Sequence, residues 1–406
     1  MLNQKIYFPN KKGEKLAAYL DRPVGINPKA YAIFAHCFTC TKNIKAASYI
    51  SRSLTQQNIA VIRFDFSGLG ESEGDFAETN FSSNVDDLIA AYDFLAADKN
   101  YQAPQLIIGH SLGGAAAIMA ATSMPSVVAV VTIGTPSEPS HVTRHFDHKL
   151  PDIETHGQAD IDISGRTFQI KKQFVDDVKH VNMNNAIKNL HRALLICHAP
   201  HDDTVNIQHA GKIFQTAQHP KSFVSLDNAD HLLSNSSDAL YTGQLIAAWA
   251  NRYLAVQDET PPHSPTHQVD VHTYPEGVST EINANGHALM ADEPHHLGGN
   301  NLGPTPYELL SASLGACTSI TLRMYADRKN WPLEDIHVTV SHEKIHASDC
   351  QTCTEKNQYV DKFTRQMTLS GPLTPEQTER LLAIADKCPV HRTLHQSILV
   401  ETHLLN

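Results

Sequence analysis

Through roughly the first 250 residues, short apolar runs alternate with stretches whose apolar residues recur at helical spacing. Lys5 to Asp21 alternate around Asn10-Lys-Lys-Gly13 and predict an opening β-hairpin. Tyr31 to Ala35, Ala60 to Phe66, the run ending at Gly109, Val127 to Gly134, Ala193 to Cys197 and Ser222 to Leu226 read as strands. Lys45 to Gln57, Asn84 to Ala97, the alanine-rich stretch after Gly113, Ile207 to Ala217 and Ser237 to Leu254 read as helices. Strand and helix in alternation mean crossovers and a mostly parallel sheet, a doubly wound α/β fold.

The alternation lapses between Glu138 and Leu190. Ile161 to Ile170 predicts a hairpin about Gly165, followed by a helix from Lys171 to Lys179, so residues 138–190 are expected to sit over the strand ends as a small lid. Asp258 to Thr266 is polar, proline-rich and aperiodic, which predicts a linker at 257–266 between a domain of residues 1–256 and one of 267–406.

Beyond the linker the pattern is segregated, which predicts an α+β domain. Val269 to Asn283, Ala288 to Asp292, Ile336 to Val340, Phe363 to Ser370 and Ser397 to Leu404 read as strands. Pro306 to Arg328 and Pro375 to Ala385 read as helices, the first with Leu310, Leu314, Cys317, Thr321 and Met324 on one stripe.

Bulk composition narrows the partners. A net charge of -11 argues against nucleic acid and offers no basic patch to an anionic membrane. No apolar run approaches ~18 residues and no leader pattern opens the chain, so a cytoplasmic protein without a membrane partner is expected. Seven cysteines without small-scaffold spacing fit reduced thiols, and the Cys-X-X-Cys of Cys37 and Cys40, lacking partners for a metal or redox reading, is expected to be a pocket-lining pair.

The strongest chemical signal is Gly109-His-Ser-Leu-Gly113, where an apolar run stops and a helical pattern starts. A serine with glycine two residues either side can take the strained strand-to-helix turn that lifts its hydroxyl over a sheet edge. Such a hydroxyl needs a histidine to take its proton, and that histidine needs a carboxylate to fix its tautomer. The loops after two later strands supply both, in His198-Ala-Pro-His-Asp-Asp-Thr-Val205 and Asp227-Asn-Ala-Asp-His-Leu-Leu233. The order serine, acid, histidine is the one this architecture uses.

On these stretches residues 1 to about 256 resemble an α/β-hydrolase of the serine esterase and aminopeptidase kind. The resemblance implies Ser111 as nucleophile, His231 as base and Asp202 as acid, the valine three residues on selecting Asp202 over its fallback, Asp203. It implies two oxyanion donors, the amides of Leu112 and of Phe38 in His36-Cys37-Phe38, with Cys37 in place of the usual glycine. The expected reaction is hydrolysis of a small-molecule ester with no cofactor, with peptide or thioester hydrolysis as alternatives.

Pro304-Thr-Pro-Tyr-Glu-Leu-Leu310, Leu314-Gly-Ala-Cys-Thr-Ser-Ile320 and Asp386-Lys-Cys-Pro-Val-His391 resemble the OsmC family, to which organic hydroperoxide reductases belong. The resemblance implies an attacking Cys317, a resolving Cys388 and a homodimer formed through this domain, with peroxide reduction as the alternative activity. The family's arginine from an early strand has no match, since no arginine lies between Leu254 and Arg323. Tyr307 stands at the position of its glutamate, with Glu308 beside it. His342-Glu-Lys-Ile-His346 continues a strand pattern, so the helical zinc-protease reading is set aside. Whether His342, His346, Cys350 and Cys353 bind a metal stays open, with an exposed hairpin favoured and no metal assigned.

Overall fold

The computed structural model describes residues 2–24, 27–163, 165–254, 269–273, 277–346 and 359–404. The expected linker at 257–266 and Cys350 and Cys353 lie outside these. Two compact units emerge, Met1–His272 with Ile282–Ala288, and Thr273–Glu281 with Leu289–Asn406.

The first unit is built on strands β1 (Leu2–Pro9), β2 (Lys15–Arg22), β3 (Ala30–Ala35), β4 (Ile59–Phe64), β5 (Leu106–His110) and β6 (Ala129–Ile133), with β9 (Ala193–His198) and β10 (Lys221–Ser225). They form one sheet in the order β1-β2-β4-β3-β5-β6-β9-β10. The first two strands pair antiparallel with their neighbours, and the six from β4 to β10 run parallel. Helices cover both faces, which is why the central strands read as unbroken apolar runs.

Alternate residues feed different cores. Tyr31, Ile33 and Ala35 point to the face covered by α2 (Phe81–Ala97) and α3 (Leu112–Ala121). Ala30, Ala32 and Phe34 point to the face covered by α1 (Lys45–Gln56) and α8 (Ser236–Ala250). Each fully buried isoleucine or leucine in these layers stabilises by about 1.5–3 kcal/mol.

Between β6 and β9 the chain leaves the sheet for a 3₁₀ segment at Pro139–Lys149, α4 (Leu150–His156), the hairpin β7 (Gln158–Ile163) and β8 (Arg166–Lys171), α5 (Lys172–His180) and α6 (Met183–Lys188). The hairpin and α5 follow the sequence pattern. The 3₁₀ segment, α4 and α6 do not, because they are short and rich in proline, histidine and asparagine, which give no sustained periodicity. Phe168 meets Phe76 at 5.0 Å and Phe174 meets Phe38 at 5.3 Å, so aromatic contacts seat this segment on the loops beneath it. Helix α7 (Gln208–Thr216) then leads to β10.

In the second unit, α9 (Pro306–Lys329) starts at a capping box between Thr305 and Glu308 and stops at Asn330, whose φ is 52°. It packs on the antiparallel ribbon of β14 (Asp335–His346) and β15 (Tyr359–Ser370), and α10 (Pro375–Ala385) and α11 (Pro389–Leu394) pack on it in turn. Strands β11 (Val269–Thr273), β12 (Thr280–Ala284) and β13 (His287–Ala291) form a three-stranded sheet.

Two expectations for this region need correction. The buried stripe of α9 is Ser311, Leu314, Thr318, Leu322 and Ala326, whereas Leu310 and Met324 are exposed and Cys317 is half-buried. The seven-residue spacing of Leu310, Cys317 and Met324 drew the face about one residue off, and small polar side chains hid the true one. Ser397 to Leu404 is not a strand: within the described chain it is irregular and exposed, because no strand pairs with it.

One carboxylate in the first unit is placed against its own charge. Asn80 and Ser83 cap α2 reciprocally. One turn on, the buried Asp87 carboxylate accepts hydrogen bonds from the Ser67 amide at 2.9 Å and the Ser67 hydroxyl at 3.0 Å. Burial outweighs these bonds and raises its pKa to about 6. A carboxyl raised in the folded state contributes most below its unfolded value and loses that contribution as pH rises through about 6. Asp87→Asn, whose amide can still accept from the Ser67 amide and donate to its hydroxyl, is therefore expected to raise the melting temperature at pH 7.5. Thermal melts from pH 7.5 to 4 are expected to show that gain shrinking towards zero, and a gain that grows on acidification contradicts the assignment.

Candidate active site

Ser111 joins β5 to α3 at φ 55°, ψ -125°, a region that non-glycine residues seldom occupy. The crossing is tight enough to exclude larger neighbours. A Cβ on Gly109 would lie 2.3 Å from the Gly113 carbonyl oxygen, and one on Gly113 would lie 2.4 Å from the His36 carbonyl oxygen. The Ser111 amide donates to the Ile133 carbonyl at 2.8 Å, which ties the turn to β6.

Two loops bring the partners. The one after β9 carries Asp202, whose Oδ1 accepts from the Thr204 and Val205 amides at 2.9 and 2.7 Å. The one after β10 carries His231, with Nδ1 2.7 Å from Asp202 Oδ2 and Nε2 3.0 Å from Ser111 Oγ. An ionised Asp202 accepts from Nδ1–H, which leaves Nε2 free to accept from the serine hydroxyl. Burial alone would raise the Asp202 carboxyl, but its bonds from His231 and the two amides prevail and hold it below the usual range. Asp203, the fallback, is exposed on the same loop.

Phe38 and Leu112 stand at the loop after β3 and the first turn of α3. Among the described residues neither amide meets an acceptor, so both are free to donate. A narrow recess bordering both is walled by Phe66, Leu69, Phe76 and Ala116.

The loop is held from below. His36 donates through Nδ1 to the Cys37 carbonyl at 2.9 Å and accepts from the Phe66 amide at Nε2, while burial lowers its pKa to about 4 and keeps it neutral. Two residues past the loop, the fully buried Lys42 ammonium meets Asp65 at 2.5 Å and Glu71 at 2.6 Å, and the Lys42 amide donates to Asp65 at 2.7 Å. Lys42 and Lys5 together draw the Glu71 carboxyl down to about 2.

The expectation of reduced thiols fails here: Cys37 and Cys40 are joined by a disulfide, while Cys37 lines the recess. The turn through Phe38 and Thr39, with Thr39 at φ 60° and the Cys40 amide bonded to the Cys37 carbonyl, brings the two Cα atoms to 5.2 Å, within disulfide reach.

Two contributors escaped the sequence reading. His110 donates through Nε2 to the His231 carbonyl at 2.7 Å, and burial, with the His231 charge adding to it, lowers its pKa to about 3. Gly134, at φ 55°, lies against the imidazole, where an added methyl would come within 3.2 Å of His231 Nδ1. A histidine at the buried end of an apolar strand was the available signal for the first; a strand-ending glycine is too common to have been one for the second.

The second unit assembles a different group. Cys388 is buried at the N-cap of α11 and its sulfur accepts from the His391 amide at 3.3 Å. Thr318 faces that sulfur at 3.6 Å, and Cys317, the residue before it on α9, is a half-buried free thiol. Arg365 on β15 donates to the Thr318 hydroxyl and the Ala385 carbonyl at 2.9 Å each and pairs with Asp386 at 2.6 Å. An arginine among the inward positions Phe363, Met367 and Leu369 was the missed signal, since its strand follows the helix instead of preceding it. Glu308 is committed elsewhere, its carboxylate capping α9 through the Thr305 amide at 2.7 Å. His342 and His346 lie on β14, and His342 pairs with Asp361 at 2.8 Å; among the described residues no cluster has a metal's ligand set.

Comparison with known proteins agrees with this architecture. Residues 27–150 match the family model of serine aminopeptidase, S33, and residues 298–403 that of OsmC-like protein. Among solved structures, the esterase domain of a Rhodothermus marinus protein is 49% identical over 63% of this chain and all of that one, with a TM-score of 0.52. Alpha/beta hydrolase domain-containing protein 10 from mouse, at 21% identity and a TM-score of 0.52, covers 61% of this chain and 99% of that one and shares the fold. Curated relatives include the mitochondrial palmitoyl-protein thioesterase ABHD10 of Mus musculus, 28% identical over 44% of this chain and 61% of its own length. That of Rattus norvegicus is 32% identical over 38% and 48%. The chain thus spans about half to six-tenths of the length of these relatives. On fold and family models together, the chain belongs to the α/β-hydrolases and carries an OsmC-like domain after its hydrolase domain.

Proposed function

We propose that the chain is a serine esterase that cleaves small to medium acyl esters through an acyl-enzyme. The observation that carries this reading is the continuous relay from Asp202 through His231 to Ser111, at 2.7 and 3.0 Å. Ser111 attacks the ester carbonyl as His231 Nε2 takes its proton, and the carbonyl oxygen, now anionic, is received by the Phe38 and Leu112 amides. The imidazolium, stabilised by Asp202, protonates the departing alkoxide; water then repeats the attack and frees the acid.

Thioester hydrolysis is the second reading. The same acyl-enzyme serves it, and the curated relatives are named as palmitoyl-protein thioesterases. In the same proposal the hydrolase domain spans 1–256 with its lid at 138–190, a linker covers 257–266, and the OsmC-like domain covers 267–406. The enzyme works in the cytoplasm on a small-molecule ester and pairs as a homodimer through the OsmC-like domain. The apolar side chains that α9 leaves exposed, Ile320 and Met324, support the pairing; among the described residues no helix is long and apolar enough to cross a membrane.

A graded series of p-nitrophenyl esters tests the proposal. Activity is expected to peak at short to medium acyl chains in the wild type and to fall by about 10³-fold or more in Ser111→Ala. An undiminished rate in that variant contradicts it. Asp202→Asn, which keeps the shape but leaves His231 the wrong tautomer, is expected to lower kcat by about 10⁴-fold near pH 7, and an equal loss in Asp203→Asn would reassign the acid.

A further inference from the structure

We propose that Cys37 and Cys40 form a thiol–disulfide exchange site whose oxidation state sets the Phe38 amide and so the rate of ester hydrolysis. The inference rests on the esterase reading above, in which that amide is an oxyanion donor.

The disulfide closes a ring around the donor itself, since the bonded pair brackets Phe38 and Thr39 and no other residue. Inside that ring Thr39 holds φ 60°, a left-handed conformation that a β-branched side chain strongly disfavours. The task is shared by the Cys40 amide to the Cys37 carbonyl at 3.1 Å, His36 Nδ1 to the same carbonyl at 2.9 Å, the Thr39 hydroxyl to the Phe38 carbonyl at 2.7 Å and Arg166 to the Thr39 carbonyl, while the Phe38 ring packs on Phe76 and Phe174. With the covalent link cut, Thr39 is free to relax to negative φ and the Cys40 amide to swing off the Cys37 carbonyl, so the peptide that carries both that carbonyl and the Phe38 N–H keeps only its bond from His36. Oxyanion donors act only when fixed in place before the charge develops. The oxidised loop is therefore the competent one.

Access favours the same site. Cys37 is 4% exposed and Cys40 is half-buried, so an incoming thiolate meets the Cys40 sulfur first. Cys197, by contrast, lies wholly inside the sheet, and burial pushes its thiol up to about 12, which makes it unreactive. The step balances with a dithiol as co-reactant. One dithiol sulfur attacks Cys40, the disulfide bond breaks and Cys37 leaves as a thiolate that takes a proton. The second dithiol sulfur then displaces Cys40 from the mixed disulfide. Two electrons and two protons pass to the protein pair, and the dithiol leaves as its own disulfide.

The full chain is assayed on a short-chain p-nitrophenyl ester before and after dithiothreitol, then after reoxidation with diamide, while differential alkylation and peptide mapping follow Cys37 and Cys40. Reduction of this pair is expected to lower kcat by about tenfold or more with KM changed less than about twofold, and reoxidation to restore it. The double variant Cys37→Ser, Cys40→Ser is expected to stay at the lowered rate and ignore both reagents. An unchanged kcat once mapping shows the pair reduced overturns the proposal, as does a reductant response that persists in the double variant. The native chain cycled between its two states needs no variant to fold. The same series on Ser111→Ala separates the two claims: an undiminished rate there overturns the esterase reading, whereas serine-dependent activity indifferent to reduction overturns the switch alone.

Discussion

The close approach of Gly109 to Gly113 and Gly114 is the constraint on which the rest of this hydrolase domain turns. It lets β5 run straight into α3 with one residue, Ser111, absorbing the change of direction at φ 55°. A conformation of that kind costs on the order of 1–3 kcal/mol and persists only where its surroundings over-determine it. The surroundings here are the bond to Ile133 on β6 and the backbone of β3, which presses on Gly113. Because β3, β5 and β6 are neighbours in one parallel sheet, a strained turn on the middle strand is braced from both sides.

The same sheet order gathers the remaining parts of the site at one edge. The loops after β3, β5, β9 and β10 all emerge at the carboxyl ends of parallel strands, where open α/β sheets place their ligands. Each loop is then fixed by its own polar anchors: the Asp202 loop by two of its own amides, the His231 loop by His110, and the Phe38 loop by His36 and the buried Lys42–Asp65 pair behind it. A buried ion pair does little for net stability, but losing one partner strands the other charge, which makes such a pair a firm determinant of geometry. Precision at the site is thus supplied by groups that never approach the reacting atoms.

Much of this was legible in the sequence because the signals were redundant. The glycine pair about Ser111, the apolar strand before it and the alanine-rich helix after it all point the same way, and Asp202 and His231 fall on the loops the alternation marks. What stayed hidden depended on contacts between distant segments. His110, Gly134 and Arg365 matter through neighbours far along the chain, and the Cys37–Cys40 link through a left-handed Thr39 that no local propensity announces. In α9 the buried face is made of serine, threonine and alanine as much as leucine, so an apolar stripe was the wrong thing to look for. The C-terminal segment reads as a strand from its own residues, yet strands need partners, and among the described residues none pairs with it.

The central claim is that an alcohol at the strand-to-helix corner becomes covalently acylated. Rapid mixing with p-nitrophenyl acetate, acid quenching and peptide mapping by mass spectrometry address it directly. The account predicts one acetyl group, on the peptide that contains Ser111, appearing at the rate of the p-nitrophenol burst. An acetyl group on a cysteine or histidine instead, or turnover with Ser111 never modified, would contradict it.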